Sequence, residues 1–382
     1  MARTRQMHLL FLDGLRALAA LYVVVHHIWL ETGGVPYVET PLIDALTEPL
    51  WYGHYAVSLF IVISGFCLML PVLSAGDRPP RWRTFFWRRA RRILPPYMLT
   101  LVLSLALIAT LISQKTGALW DLSIPVTPAG LATHAVMIHD IWPETQYQIN
   151  YPLWSIAVEW RIYLFFPLFL LGRKRLGLAI TAILTTLVTL LLLELPINLT
   201  AHYAALFVFG MLSAELAYSD APGLIRLRRL VNPLIVGLVG AAWALGLSGF
   251  NIWNNLLVPV EHIDYIFGLW VACVLCALAQ GRLAWLNRAL SWRPLVFIGS
   301  FSYSIYLIHA PLLQVVWEYV VMPWQQSRIS AFLALLAISM PLVLIGAYGL
   351  FLVAERPVVR RKPQADPPAV HEPLAGAVDL QA

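Results

Sequence analysis

The chain has 382 residues, of which 60% are apolar and only 12% charged, about half the charged share of a soluble domain. A mean hydropathy of +0.73 means more apolar surface than a water-soluble core can hide, which excludes a soluble enzyme. The net charge of +6 does not point to nucleic acid either, because a basic excess in a membrane chain collects in cytoplasmic loops.

A helix needs about 20 apolar residues to cross the hydrocarbon core. The first such run, about 10–30, follows a basic start, yet it holds Asp13, Arg16, His26 and His27 and no small-residue cleavage site follows. It therefore reads as a retained helix rather than a signal peptide. Ionisable groups inside a span cost several kcal/mol unless paired or hydrated, so each is a functional candidate. Arg16 and His27 are eleven residues apart, about 20° past three full turns, and share a face with a rise of roughly 16 Å between them. Asp13, three residues before Arg16, is placed to pair with it, and His26 is turned about 100° away from His27. The plainer reading is a snorkelling Arg16 and histidines that hydrogen-bond between helices.

The second span, 54–74, contains SLFIVISGF, where Ser64-Gly65 permits close helix approach. The loop at 75–93 carries Arg88, Arg89, Arg91 and Arg92 in a short helical segment just before a third span at 94–113. Spacing of three puts Arg89 with Arg92, and Arg88 with Arg91, on common sides. Positive-inside charge and attraction to anionic lipid account for the number of arginines. Clustered guanidiniums also suit a phosphorylated cosubstrate. The stretch 114–150 is the longest outward loop, and the fourth span, 151–171, holds Glu159 and Arg161.

Spans at 177–196, 200–218, 231–250 and 262–280 follow. The last carries Cys273 and Cys276, which like Cys67 lie in apolar surroundings without histidine neighbours, so neither a disulfide scaffold nor a metal site is expected. A ninth span, 295–316, puts Ser302, Tyr306 and His309 at i, i+4 and i+7, on one face. Core hydrogen bonding accounts for Ser302. The tenth, 329–354, ends at Glu355-Arg356-Pro357, an anchor at the helix end. Residues 363–382, rich in Pro and Ala, are expected to be a disordered tail behind a membrane domain of residues 1–362.

Alternating the connections from a cytoplasmic N-terminus tests this scheme. Two Lys/Arg fall in the N-terminal tail, seven at 75–93, three each at 173–175, 219–230 and 281–294, and four in the C-terminal tail, or 22 of 26 on one side. Such a split favours an all-α protein of about ten transmembrane helices with both termini cytoplasmic.

The run LDGLRALAALYVVVHH resembles the first-helix signature of the acyltransferase 3 family. SLFIVISGF, FFWRRARRILPPY, PLWSIAVEWRIYLFFPL, FSYSIYLIH and a terminal ERP fit in order, so that the match spans about 9–357. The family's Arg-x10-His motif falls on Arg16 and His27, and its Arg-x-x-Arg motif on Arg89 and Arg92. Trp160 stands where the family has a second acidic residue.

The resemblance implies a stand-alone integral-membrane O-acyltransferase of the bacterial inner membrane, with acyl-CoA, commonly acetyl-CoA, as cosubstrate and no metal. The acceptor is a hydroxyl of an extracytoplasmic sugar, polysaccharide or glycolipid. Its catalytic residues would be His27, Arg16 and Asp13, with Arg88, Arg89 and Arg92 holding the cosubstrate and Glu159, Tyr306 and His309 meeting the acceptor. An imidazole suits the base role near neutral pH; a transient acyl-imidazole is the other route. The competing reading is a transporter for a polar lipid or sugar whose path is lined by buried Arg and His, although the sequence shows no internal repeat of the transporter kind.

Overall fold

The computed structural model describes residues 9–34, 41–195, 200–253, 260–324 and 327–359. Arg3, Arg5 and the tail 363–382 lie outside the described residues. Among the described residues every regular element is helical, as expected where lipid offers no partner for backbone N–H and C=O groups.

Ten helices coincide with the ten expected segments: α1 (Leu10–Glu31), α2 (His54–Ser74), α3 (Trp82–Thr110), α4 (Trp154–Leu176), α5 (Leu178–Leu193), α6 (His202–Tyr218), α7 (Pro233–Trp253), α8 (Val260–Ala279), α9 (Ser302–Val316) and α10 (Arg328–Leu350). Among the described residues, seven helices are long and apolar enough to cross a membrane. An eighth is reached only if α6 is counted with the helix Pro222–Leu230, to which it is bent by 105°. α5 and the apolar part of α7 are shorter.

Two boundaries depart from expectation. The arginine-rich segment and the third span are one helix, α3, which begins at Trp82 and runs through Pro95 and Pro96. Membrane helices tolerate proline; the two prolines leave the carbonyls of Arg91 and Arg92 without an intrahelical donor, and the Tyr303 hydroxyl donates to the next carbonyl, that of Ile93, at 3.2 Å. The ninth span is broken instead. A short helix, Arg293–Gly299, turns at Ser300 and Phe301 into α9, and the Ser302 hydroxyl donates to the Gly299 carbonyl at 2.9 Å.

Close packing at small residues holds the bundle. A Cβ on Gly65 of α2 would meet the Phe207 carbonyl oxygen of α6 at 1.9 Å, and one on Gly210 would meet the Val62 carbonyl oxygen at the same distance. These two glycines let the helices touch backbone to backbone, the small-residue device of membrane packing. Gly14 and Gly299 do the same between α1 and the segment around 290–299: a Cβ on Gly14 would sit 1.9 Å from the Leu290 oxygen, and one on Gly299 would sit 2.0 Å from the Asp13 oxygen. The Gly14 of LDGLR thus brings a second helix up beside Asp13 and Arg16.

At the end where α4 closes, Arg173 pairs with Glu215 of α6 at 2.6 Å and with Asp77 at 2.8 Å. At the other end, Arg161 grips Asp140 of the long loop through both guanidinium nitrogens at 2.5 Å. Asp140 is fully buried.

Candidate active site

The central feature is a cleft of about 130 Å³ between α1, α2, α3, α4 and α9. Periodicity creates it. Ser64 and Cys67 of α2 lie three residues apart and share a face; Ser155, Glu159 and Tyr163 of α4 recur every four; Ser302 and Tyr306 of α9 do likewise. In a bundle of this apolarity, the polar residue of each turn points inward to the cleft.

One end is basic. Arg16, Arg89 and Arg92 all line the cleft. Arg16 is held from two sides: it pairs with Asp13 at 2.9 Å and donates to the Cys67 sulfur at 3.1 Å. The Arg89 guanidinium lies over the rings of Tyr163 and Phe85, 5.5 and 5.8 Å from their centroids. Arg92 shares an electrostatic neighbourhood with Glu355, and the Glu355 carboxylate accepts a hydrogen bond from Ser304. The terminal Glu355 thus does more than end a helix. Arg88, one residue from Arg89 and so about 100° around the helix, is exposed and does not line the cleft.

Glu159 faces the middle of the cleft. Its carboxylate accepts from the Ser64 hydroxyl at 3.2 Å and from the Tyr163 hydroxyl. Arg161, two residues on, points to Asp140 instead and takes no part. At the far end the Tyr306 hydroxyl donates to the Pro152 carbonyl at 3.0 Å and meets the Ser155 hydroxyl at 2.6 Å.

His27 is not a lining residue; it lies one layer further on. The His309 ring centroid is 5.8 Å from that of Tyr306, and His309 Nε2 is 2.7 Å from His27 Nδ1. The ring of Tyr151 stands edge-on to His27 at 5.0 Å. His26 turns away as its spacing requires: its Nδ1 meets the Leu50 carbonyl at 2.6 Å and its ring fills the place a Cβ on Gly53 would take.

The structure therefore brings Arg16, Arg89, Arg92, Glu159 and Tyr306 to one cleft, keeps Asp13 behind Arg16 as its ion-pair partner, sets His27 and His309 side by side beyond the cleft, and leaves Arg88 out. Sequence reasoning missed Cys67, Ser155, Tyr163 and Tyr151. The four-residue spacing of Ser155, Glu159 and Tyr163 was the available signal for two of them. Among the described residues no group of three His, Cys, Asp or Glu side chains is placed to hold a metal ion.

The stretch that holds most of these residues is matched by comparison with a known family. Residues 9–349 fit the acyltransferase 3 family, described as an acyltransferase domain. The chain belongs to the acyltransferase 3 family. It is a multi-pass integral membrane protein. Similar members are the O-acetyltransferase OatA of Staphylococcus aureus, 27% identical over 349 residues, covering 81% of this chain and 51% of OatA, and the acyltransferase MdmB of Streptomyces mycarofaciens, 27% identical over 318 residues, covering 78% and 77%. The putative peptidoglycan O-acetyltransferase YrhL of Bacillus subtilis is 26% identical over 336 residues, covering 79% of this chain and 48% of YrhL. The chain spans about half the length of OatA and YrhL. No solved structure matches it.

Proposed function

We propose that this acyltransferase 3 member moves an acyl group, commonly acetyl, from cytoplasmic acyl-CoA to a hydroxyl of an extracytoplasmic sugar, polysaccharide or glycolipid. It would do so across the plasma membrane of a bacterium, through ten spans with both termini in the cytoplasm. The observation that carries this reading is the polarity of the cleft, with three guanidiniums at one end and an imidazole pair just past the other. The name of the Bacillus subtilis relative favours a carbohydrate polymer as acceptor.

Guanidiniums bind phosphate oxygens in pairs of parallel hydrogen bonds. Arg16, Arg89 and Arg92 suit the phosphates of CoA because the acids near them, Asp13 beside Arg16 and Glu355 beside Arg92, leave the cluster a net positive charge, and Glu159 accepts from two hydroxyls. The roughly 16 Å rise from Arg16 to His27 along α1 is of the order a pantetheine arm spans. At its end, His27 takes the proton of the acceptor hydroxyl as the oxygen attacks the thioester carbonyl. The C–S bond then breaks, and the proton passes to the departing CoA thiolate. General base catalysis of this kind contributes about 10²- to 10⁴-fold. The second route, through an acyl-His27, uses the same ring as nucleophile.

The test is acetyl transfer by purified protein with His27→Ala set against His26→Ala. Loss of at least 10²-fold in the first alone is expected. Equal, unimpaired rates for both would remove His27 from the chemistry. A labelled acetyl group trapped on the protein in acid, absent from His27→Ala, would select the acyl-imidazole route.

A further inference from the structure

Beyond the cleft the buried His309 and the half-buried His27 form a pair whose hydrogen-bond pattern has one neutral solution. His309 Nδ1 faces only carbonyls, that of Tyr306 at 2.7 Å and that of Ile305 at 3.2 Å. A carbonyl accepts and never donates, so this nitrogen carries a hydrogen. In a neutral imidazole the other nitrogen is then bare, which makes His309 Nε2 an acceptor. The group 2.7 Å from it, His27 Nδ1, must be the donor. His27 is left with its lone pair on Nε2.

The ring geometry agrees. The planes are 6° from parallel and the centroids 4.9 Å apart. With the nitrogens at 2.7 Å, that separation is close to the N···N distance plus two ring radii. The rings therefore meet edge to edge in one plane, along the line of an N–H···N bond, rather than face to face. Neither ring has an ion-pair partner among the described residues; the Asp264 carboxylate is taken up by His54 and His202 instead. A charged imidazolium buried without such a partner is costly, which favours the neutral pair.

We infer that His309 is a positioning residue that fixes His27 in the Nδ1–H tautomer and so presents Nε2 as the base. This rests on the reading of His27 as the catalytic base. It gives His309 a different task from meeting the acceptor, and it explains the backbone hydrogen bonds of α9 at this point: the carbonyls of Ile305 and Tyr306 set the hydrogen on one imidazole, and that imidazole sets it on the next. In the reaction His27 Nε2 gains the acceptor proton while the Nδ1–H bond to His309 persists. The positive charge that forms on His27 is steadied by a hydrogen bond already in place, with no ring flip.

Two measurements on the full chain in lipid test this. The first is solid-state NMR of protein carrying ¹⁵N-labelled histidine, with the His27 signals assigned among the ten histidines by their loss in His27→Gln. A hydrogen on Nδ1 and none on Nε2 is expected; the reverse overturns the inference. The second is transfer from acetyl-CoA to a β-1,4-linked N-acetylglucosamine pentamer. His309→Leu is expected to lose about 10- to 10²-fold in kcat with KM for acetyl-CoA within about twofold. His309→Gln, whose amide oxygen accepts from His27 Nδ1, should recover most of that loss. Full activity in His309→Leu, or a raised KM for the pentamer with kcat intact, overturns the inference. If His309→Gln does not recover, or neither variant folds, the NMR result on the unsubstituted chain decides. A fully active His309→Leu beside an inactive His27→Ala removes only this inference. A fully active His27→Ala removes the base reading beneath it.

Discussion

The basic end of the cleft makes a quantitative demand on its arginines. Arg89 lines the cleft, backed by the Tyr163 and Phe85 rings; Arg88, its chain neighbour, is exposed and outside it. A hydrogen bond to a charged group contributes about 1.5–3 kcal/mol, and each 1.4 kcal/mol is tenfold in affinity. Arg89→Ala should therefore raise KM for acetyl-CoA by about 10- to 150-fold, with little change in kcat, because the lost contact is equally present in ground and transition states. Arg88→Ala should change it by less than about twofold. The assay is transfer of labelled acetyl from acetyl-CoA to the N-acetylglucosamine pentamer in nanodiscs, repeated with S-acetylpantetheine, which lacks the nucleotide and its phosphates. With that donor Arg89→Ala should behave as the unsubstituted protein does. An equal effect of Arg88→Ala, or an equal effect on both donors, would refute the assignment and leave the arginines as topology signals.

Three further outcomes follow from packing and burial. Gly65→Ala drives a methyl onto the Phe207 carbonyl oxygen, at 1.9 Å, and overpacking of this kind costs about 1–3 kcal/mol. Size-exclusion yield and thermal unfolding should drop, whereas Gly223→Ala, with nothing within 4 Å, should match the parent. Arg161→Leu strands the fully buried Asp140 and should cost about 3–5 kcal/mol; adding Asp140→Asn should restore part of it in the same unfolding measurement. In the same loop, burial holds His134 down to about 4 and His139, stacked on it at 3.6 Å, well below its usual range. Since the unfolded chain takes up these protons first, stability is full above about pH 6.5 and falls as pH drops toward 4. His134→Gln/His139→Gln should flatten that fall, and an unchanged slope would show that the pair is already charged in the folded protein.

How far the sequence reaches depends on the range of the interaction. Asp13–Arg16 and the turning away of His26 from His27 are local helix geometry, and both were legible. So was the helical character of the apolar runs, because a long apolar run needs no partner to be recognised, whereas seven or eight of the ten expected spans are long and apolar enough to cross a membrane among the described residues. The continuity of α3 through Pro95 and Pro96 was hidden, since proline inside a helical pattern ordinarily ends or kinks it and only tertiary packing decides otherwise. The partners of Glu159 and Arg161 were hidden for the same reason. Both carboxylate and guanidinium demand company in a membrane, but only tertiary structure decides that one meets two hydroxyls and the other Asp140. The exclusion of Arg88 needed only the phase of α3, which spacing of three alone cannot supply because Arg88–Arg91 and Arg89–Arg92 satisfy it equally. Glu159 stands beside Trp160 where a second acid was expected, and the cleft shows what occupies its acceptor capacity here: Ser64 and Tyr163.

α3 runs unbroken from Trp82 to Thr110, about 43 Å at 1.5 Å per residue. Near one end it carries Arg89 and Arg92. Further along, the Tyr97 hydroxyl holds the His134 carbonyl at 3.0 Å, and Ser104 receives the Asn150 amide at 3.1 Å, both from the long loop. The helix is therefore a lever whose short arm bears the guanidiniums and whose long arm is fastened to the opposite rim. Because one continuous helix carries both sets of contacts, a change in its tilt at the arginines would have to be taken up at the loop contacts or by a bend at Pro95 and Pro96.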